Sequence, residues 1–298
     1  RSENLDAIHF IQQLNQVVFK DFPGIMMVAE ESTAYPMVTG PVDKGGLGFN
    51  FKWNMGWMND ILEYMEEDPI MRKGRHNLLT FSMMYAYSEN YILPLSHDEV
   101  VHGKKSLLDK MSGDYWQKFA NLRLLFAYMF AHPGKNLLFM GGEFGQFIEW
   151  NYKQELDWLL LDYPKHQEVK KYVKDLNHFY KRNNAFWLKD YAHEGFEWIE
   201  ADDNKQSVLS FTRSGEKTED LRVILCNFTP VPRENYKIGV PFQGQYREVF
   251  NSDLEKYGGS GIVNEKPIET KKEEFHGFSQ SIEVTVPPLA AVYLKLEK

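Results

Sequence analysis

The amino-acid sequence predicts an α/β segment that forms half of an eight-stranded (β/α) TIM barrel, followed by an antiparallel β-sandwich. Up to about residue 186, helical stripes alternate with short apolar runs, and polar residues follow each run. From about residue 187, the stripes give way to alternating runs, separated by turn residues at intervals of roughly ten. We therefore expect two domains, at residues 1–186 and 187–298.

The first domain is predicted to contain five helices and four parallel strands. The stripe of Leu5, Ile8 and Ile11 predicts the opening helix, and Asp114 is a good N-cap for the strongly apolar fourth helix. Continuous apolar runs are typical of parallel strands that are buried on both faces. The helices are expected at 4–20, 53–67, 75–88, 115–132 and 166–182, and the strands at 25–29, 47–51, 91–95 and 137–140.

The second domain is predicted from seven short runs in which apolar and polar residues alternate. This pattern is expected where one face of each strand is buried in a sandwich. The runs lie at 196–200, 207–211, 221–226, 236–240, 246–250, 281–286 and 290–296, with a longer polar insertion around 252–280.

The composition excludes several classes of function. The 298 residues carry a net charge of −8, which argues against a nucleic-acid partner. No run approaches the roughly 18 apolar residues that a membrane span requires. The single cysteine, Cys226, lies in an apolar run, so we expect a buried thiol and a reducing compartment. Aromatic residues make up 15% of the chain, which fits a surface that stacks on sugar rings.

Charged residues are concentrated where two of the apolar runs end. The sequence Ser-His-Asp-Glu-Val-Val-His-Gly-Lys-Lys at 96–105 directly follows the run at 91–95, and Glu30 and Glu31 follow the run at 25–29. Because α/β barrels carry their chemistry at the carboxyl ends of the strands, we expect a functional site here rather than a solvated loop. A glycine cluster at 45–48 lacks the Gly-Lys-Ser/Thr of a phosphate loop and is not expected to bind phosphate.

Glu30 and Asp98, interpreted as carboxylates at the ends of neighbouring barrel strands, suit glycoside chemistry. An oxocarbenium-like transition state needs a proton donor at the leaving oxygen and negative charge beside the sugar ring. Phosphoryl transfer or metal-assisted hydrolysis would use similar acids. The sequence has no His-x-His or cysteine-rich pattern, so neither a metal site nor a cofactor is expected.

Four segments resemble the 1,4-α-glucan (glycogen) branching enzymes of the α-amylase superfamily. They are Met-Val-Ala-Glu-Glu-Ser-Thr at 27–33, Gly-Gly-Leu-Gly-Phe-Asn-Phe-Lys-Trp-Asn at 45–54, the segment 95–105 and Leu-Phe-Met-Gly-Gly-Glu-Phe at 138–144. The glutamate and His-Asp motifs alone indicate only the superfamily. The extended run from His97 to Lys104 indicates the branching enzymes, and the resemblance includes the sandwich.

The resemblance implies cleavage of an α-1,4 bond and transfer of the released chain to a 6-hydroxyl. It implies that Glu30 is the general acid/base after barrel strand five and that Asp98 is the transition-state stabiliser after strand seven. His97 would bind sugar hydroxyls, and Glu31 would have only a local structural role. The cationic residues of the extended run, His102, Lys104 and Lys105, are expected to contact substrate or order their loop.

The sequence departs from the family at the nucleophile. The family's Asp in a Gly-x-Arg-x-Asp setting is absent, and so is its early Asn-His motif. We therefore expect barrel strands five to eight plus the sandwich, with the amino-terminal half of the enzyme as a required partner. Alone, this chain is expected to be inactive. The implied partners are α-1,4-glucans such as glycogen, amylose and amylopectin.

Two other functions are compatible with the same residues. An amylase-type hydrolase would also use Glu30, His97 and Asp98, with water instead of a glucan hydroxyl as the acceptor. A noncatalytic glucan-binding module would use the aromatic surface and the sandwich. The resemblance implies a cytoplasmic location, or a plastid in a plant.

Overall fold

A computed structural model describes residues 3–297 of the chain. The helices are α1 (Leu5–Asp21), α2 (Met55–Glu66), α3 (Asn77–Thr80), α4 (Leu107–Lys110), α5 (Tyr115–Ala131) and α6 (Pro164–Arg182). The first four strands are β1 (Val28–Ala29), β2 (Phe51–Trp53), β3 (Tyr91–Leu95) and β4 (Lys135–Leu138). The later strands are β5 (Phe196–Glu200), β6 (Val208–Arg213), β7 (Arg222–Asn227), β8 (Arg233–Val240), β9 (Gln245–Asn251), β10 (Ile268–Glu269), β11 (Gln280–Val286) and β12 (Ala290–Glu297).

The first four strands form a parallel sheet in the order β1-β2-β3-β4. Each strand follows its neighbour in the chain, so helices and loops connect them as in α/β folds. All four strands therefore end at the same edge of the sheet. Strand β3 has the predicted bounds, and β2 begins at Phe51, four residues later than the run at 47–51 indicates.

The two edge strands are less buried than their sequences predict. Only Val28–Ala29 of the run at 25–29 is in a strand, and Ile25 and Met26 are 47% and 66% exposed. Strand β4 is half-buried, and Met140 beyond it is 51% exposed. The expectation of burial on both faces is therefore wrong for these runs. No described strand pairs with the outer edge of β1 or β4.

The helix predicted at 75–88 is wrong. One short helical turn, α3, is followed by a 3-10 turn at Phe81–Met84, and Met84 is 82% exposed instead of packing inward. Ser82 faces the interior, where its hydroxyl lies 2.9 Å from Nε2 of His132, the residue that follows α5. This tertiary contact favours a tight turn over continuation of the helix.

The carboxyl-terminal strands form two antiparallel sheets. A six-stranded sheet has the order β10-β9-β12-β7-β6-β5, and a two-stranded sheet pairs β11 with β8. The seven predicted strands are confirmed to within a few residues at each end. The additional strand β10 lies in the polar insertion, where its two residues carry too little pattern to be recognised.

One hydrophobic core joins the parallel sheet to the six-stranded antiparallel sheet. Helix α5 is buried along most of its length, and its core cluster includes Phe211, Cys226 and Tyr293 from the antiparallel strands. The hydroxyl of Tyr293 donates to the carbonyl of Ala127 in α5. Cys226 is buried, as the sequence predicts, and Trp57 is buried in the same core. The core is therefore continuous across the predicted domain boundary.

Among residues 3–297, none of the helices combines the length and apolarity that crossing a bilayer would require.

Candidate functional site

Glu30 and Asp98 follow strands of the same parallel sheet at its carboxyl edge. Glu30 comes directly after β1, and Asp98 lies three residues beyond the end of β3. The two strands are separated by β2, so the interpretation of neighbouring strands is wrong. Because the sheet is parallel, both residues nevertheless follow strand ends at the same edge of the sheet.

In the turn after β3, one charged side chain is buried and its two neighbours reach solvent. Glu99 is buried and accepts a 2.6 Å hydrogen bond from the backbone N–H of Ser96. The Ser96 hydroxyl in turn accepts a 3.3 Å hydrogen bond from the N–H of Asp98. With Glu99 anchored inward, Asp98 is half-exposed and His97 is exposed at the end of the strand.

Asp98 is paired with a cation from its own loop. The Lys104 ammonium donates a 2.9 Å hydrogen bond to Oδ2 of Asp98. This hydrogen bond is the main reason that the pKa of Asp98 is lower than usual, and the positive charges of Lys104 and His97 lower it further. The contact therefore favours the ionised carboxylate.

Sequence reasoning missed Glu149, which lies beyond β4 and contacts this loop. Its carboxylate accepts hydrogen bonds from the backbone N–H groups of Gly103 and Lys105, at 3.0 and 2.8 Å. His102 Nδ1 lies 3.4 Å from the same carboxylate. Glu149 is far from the His-Asp motif in sequence, and no local pattern distinguishes it from other surface acids.

Aromatic rings lie beside His97. The centroid of the His97 ring lies 6.0 Å from the ring centroids of both Phe139 and Trp150. The rings of Phe139 and Trp150 meet edge to face, with their centroids 5.0 Å apart. Phe139 follows β4 directly, so this cluster lies at the same edge of the sheet as Asp98. These half-buried rings place apolar aromatic surface beside His97, of the kind on which the apolar faces of sugar rings pack.

The two acids after β1 have different surroundings. Glu31 accepts a 2.7 Å hydrogen bond from the N–H of Thr33, which is the main reason that its pKa is lowered. This contact agrees with a local structural role. Glu30 is exposed, and it has neither a hydrogen bond nor an ion pair with any residue that the structure describes.

The structure thus places Asp98, Lys104 and His102 around one loop, with His97 beside them. Glu30 lies at the same edge of the sheet but contacts none of these residues. Within residues 3–297, no three His, Cys, Asp or Glu side chains are grouped closely enough to hold a metal ion.

Comparison with known proteins identifies relatives over nearly the whole chain. The 1,4-alpha-glucan branching enzyme GlgB of Halothermothrix orenii is 62% identical over 98% of this chain, which is 46% of that enzyme. The enzyme of the same name from Aquifex aeolicus is 55% identical over 99% of this chain and 47% of its own length. The chain thus spans about half the length of these relatives.

Two further comparisons agree on the fold. Residues 198–297 match the family described as the alpha amylase C-terminal all-beta domain. Solved structures of an alpha-amylase from H. orenii and of a type I pullulanase from Bacillus subtilis have TM-scores of 0.62 and 0.69, both at 16% identity. They cover 100% and 98% of this chain, and the chain covers 58% and 42% of theirs. At this identity the structural likeness supports the fold alone.

Proposed function

We propose that this chain, which belongs to the family of the 1,4-alpha-glucan branching enzymes, supplies the acid/base and the transition-state stabiliser of the branching reaction. Glu30 protonates the leaving oxygen of an α-1,4 bond and later deprotonates the accepting 6-hydroxyl. Asp98 stabilises the positive charge that develops on the sugar ring. The product is an α-1,6 branch.

The observation that carries this proposal is the shared sheet edge of Glu30 and Asp98. Their environments suit different roles. Asp98 is held beside a lysine that favours its ionised form, as a stabiliser of a cationic ring requires. Glu30 is unpaired among the described residues, so its carboxyl group is free to exchange a proton with substrate.

Substrate contacts are assigned to the residues around Asp98. His97, beside Phe139 and Trp150, binds hydroxyl groups of the sugar whose bond is broken. His102 and Lys104, both on the exposed loop, contact the glucan chain or order the loop around it. The substrates are α-1,4-glucans such as glycogen, amylose and amylopectin, and the enzyme acts in the cytoplasm.

The nucleophile is assigned to a part of the enzyme outside this sequence. The printed residues contain no Gly-x-Arg-x-Asp. Retaining transfer needs a second carboxylate about 5 Å from the acid/base. We infer that residues 1–186 form strands five to eight of the catalytic barrel, that 187–298 form the carboxyl-terminal domain, and that the other barrel half supplies the attacking Asp.

The experiment compares Glu30→Gln with Glu31→Gln in the complete branching enzyme that carries this sequence. Proton NMR counts α-1,6 linkages formed in amylose. General acid catalysis contributes roughly 10²- to 10⁴-fold, so Glu30→Gln is expected to lose at least about 100-fold in rate. Glu31→Gln should retain most of the activity, because only its contact with Thr33 changes. A Glu30→Gln enzyme with more than about a tenth of the normal rate would exclude Glu30 from the role.

A further inference from the structure

We propose that Glu149 is a positioning residue for Asp98, because it holds the loop at 101–105 so that Lys104 lies on the Asp98 carboxylate. This inference rests on the proposed role of Asp98. Glu149 lies in the segment after β4, whereas the charged pair that it fixes, Lys104 and Asp98, lies in the segment after β3.

The Glu149 carboxylate uses both of its oxygens on the loop. Oε1 accepts the N–H of Lys105 at 2.8 Å, and Oε2 accepts the N–H of Gly103 at 3.0 Å. Oε2 also faces His102 at 3.4 Å. The two N–H groups flank Lys104, so one side chain fixes the backbone on both sides of that residue.

The loop has a backbone that needs such an anchor. Residues 102–105 are all exposed, so burial does not hold them in place. Gly103 and Lys105 have φ angles of +83° and +65°. The left-handed conformation is unfavourable for a non-glycine residue such as Lys105. The hydrogen bond to Glu149 is the contact that compensates at this position.

Other contacts attach the loop without fixing the residues on either side of Lys104. The N–H of Trp150 donates to the carbonyl of Val100 at 2.8 Å, and the Ser106 hydroxyl donates to the carbonyl of Phe147 at 2.9 Å. Lys110 donates to the carbonyl of Lys104. The N–H of Lys104 also donates to the carbonyl of Val101 at 3.0 Å. Loss of Glu149 should therefore leave these contacts in place while the N–H groups of Gly103 and Lys105 lose their acceptor and the turn loosens.

The consequence concerns the charge on Asp98. Lys104 and His97, both from its own segment, lower the pKa of Asp98, whereas Glu149 and its partner His102 hold the loop that carries Lys104. If the loop relaxes and Lys104 leaves, Asp98 loses the hydrogen bond that lowers its pKa. Its pKa then rises towards the ordinary value of an aspartate, so a larger fraction of the enzyme carries a protonated Asp98 at acidic pH.

The test compares three variants of the complete enzyme: Glu149→Ala, Glu149→Gln and the control Glu155→Ala. Glu155 is an exposed acid in the same segment, with no hydrogen bond or ion pair to the part of the chain that the structure describes. Two readouts are taken. One is the rate at which the Lys104 amine is acylated, followed by mass spectrometry. The other is kcat and KM for amylose branching as a function of pH.

Glu149→Ala is expected to raise the rate of Lys104 acylation at least about 2-fold. It should also shift the acidic limb of the kcat–pH profile to higher pH, by about half a pH unit or more. It should lower kcat more than it raises KM. Glu149→Gln should fall between Glu149→Ala and the unmodified enzyme, because an amide has one acceptor oxygen in place of two. Glu155→Ala should change neither readout.

Unchanged acylation in a folded Glu149→Ala enzyme would overturn the inference, whatever its activity. Faster acylation with an unmoved acidic limb would also overturn it, because Lys104 would then not govern the charge of Asp98. If Glu149→Ala does not fold, Lys104→Met is the deciding variant, because it removes the cation and leaves the backbone of the turn intact. It must shift the acidic limb of the kcat–pH profile to higher pH, and an unshifted limb would overturn the inference. Failure of the proposed function is seen separately, as near-normal turnover in Asp98→Asn.

Discussion

The guanidinium of Arg72 donates a 2.8 Å hydrogen bond to the carbonyl of Phe228, across 156 positions of the chain. Arg72 is fully buried between α2 and the carboxyl-terminal strands. It also donates to the side chain of Asn121 and to the carbonyl of Met65, each at 3.0 Å, and to the Ser112 hydroxyl at 3.2 Å. Burial lowers its pKa to about 10, so it remains charged at neutral pH. One side chain thus joins three helical segments to the antiparallel sheet.

Arg72→Leu is expected to destabilise the chain by about 3 kcal/mol or more, because each buried acceptor left without a donor costs about 1–3 kcal/mol. Urea unfolding, followed by near- and far-ultraviolet circular dichroism, measures the loss. The control is Arg75→Leu, since Arg75 forms only half-exposed ion pairs with Glu63 and Glu67 and should cost less than about 1 kcal/mol. Equal effects of the two variants would contradict the joining role of Arg72.

Asp98→Asn should lower kcat far more than it changes glucan affinity, because the carboxylate matters most when the sugar ring becomes cationic. His97→Ala should affect kcat and KM together, since its proposed hydrogen bonds form in both states. Steady-state branching kinetics of the complete enzyme separate the two patterns. A change in affinity alone for Asp98→Asn would remove Asp98 from the stabiliser role.

His132 should make stability depend on pH. Its Nδ1 lies 2.8 Å from the carbonyl of Pro133 and donates to it, so in the neutral ring Nε2 accepts from the Ser82 hydroxyl. Burial lowers its pKa from 6.5 to about 4. The unfolded chain therefore binds the extra proton first as pH falls, and stability should decrease between about pH 6.5 and 4, by roughly 3 kcal/mol in total.

The measurement is the urea midpoint of this chain from pH 7 to pH 4, compared between the unmodified chain and His132→Gln. The variant is less stable at pH 7 but should lose less stability on acidification, because the group that takes up the proton is gone. His178→Gln provides the control, since this histidine is exposed on α6. Parallel pH curves for His132→Gln and the unmodified chain would count against the assignment.

The edge at β1 should make the isolated chain self-associate. Phe10 in α1 and Met26 before β1 are 64% and 66% exposed, and the outer edge of β1 is unpaired among the described strands. Unpaired strand edges with apolar surroundings associate. Sedimentation velocity should show concentration-dependent oligomers, which Met26→Lys reduces and the distant Ile70→Lys does not. Persistent oligomers in Met26→Lys would place the contact elsewhere.

The isolated chain should also form no α-1,6 linkages. It has the proposed acid/base, Glu30, and the proposed stabiliser, Asp98, but its printed sequence lacks the family's nucleophile motif. Proton NMR of amylose incubated with the chain alone measures the result against a no-enzyme sample. Clear branching would mean that the attacking carboxylate lies within these residues after all.

How far the sequence predicts this molecule depends on whether a segment is governed by local or distant contacts. The antiparallel strands were predictable because apolar and polar residues alternate, and at 282–286 in β11 the burial alternates with them. The expectation of one buried face is wrong for β6 and β7, which lie inside the six-stranded sheet and are buried on both faces. The capping box of Asp114 with Gln117 similarly fixes the start of α5. The turn at Phe81–Met84 was not predictable, because Ser82 contacts a histidine 50 positions away.

The same distinction applies to the candidate site. His97 and Asp98 could be proposed because they sit in a charged run directly after an apolar strand. Glu149 could not, because its partners Gly103 and Lys105 are more than 40 positions away and are contacted through their backbone. Every residue except proline has a backbone N–H, so the residue type does not show which N–H groups bind a distant carboxylate.

The buried thiol of Cys226 makes this chain convenient for site-specific labelling. Cys226 is the single cysteine, it is fully buried, and burial raises the pKa of its thiol well above the usual range. Maleimides react with thiolates that they can reach, so they should leave Cys226 unmodified in the folded chain. A cysteine introduced on the exposed loop at 102–105 would then carry a fluorophore or spin label alone, with the native cysteine left in place.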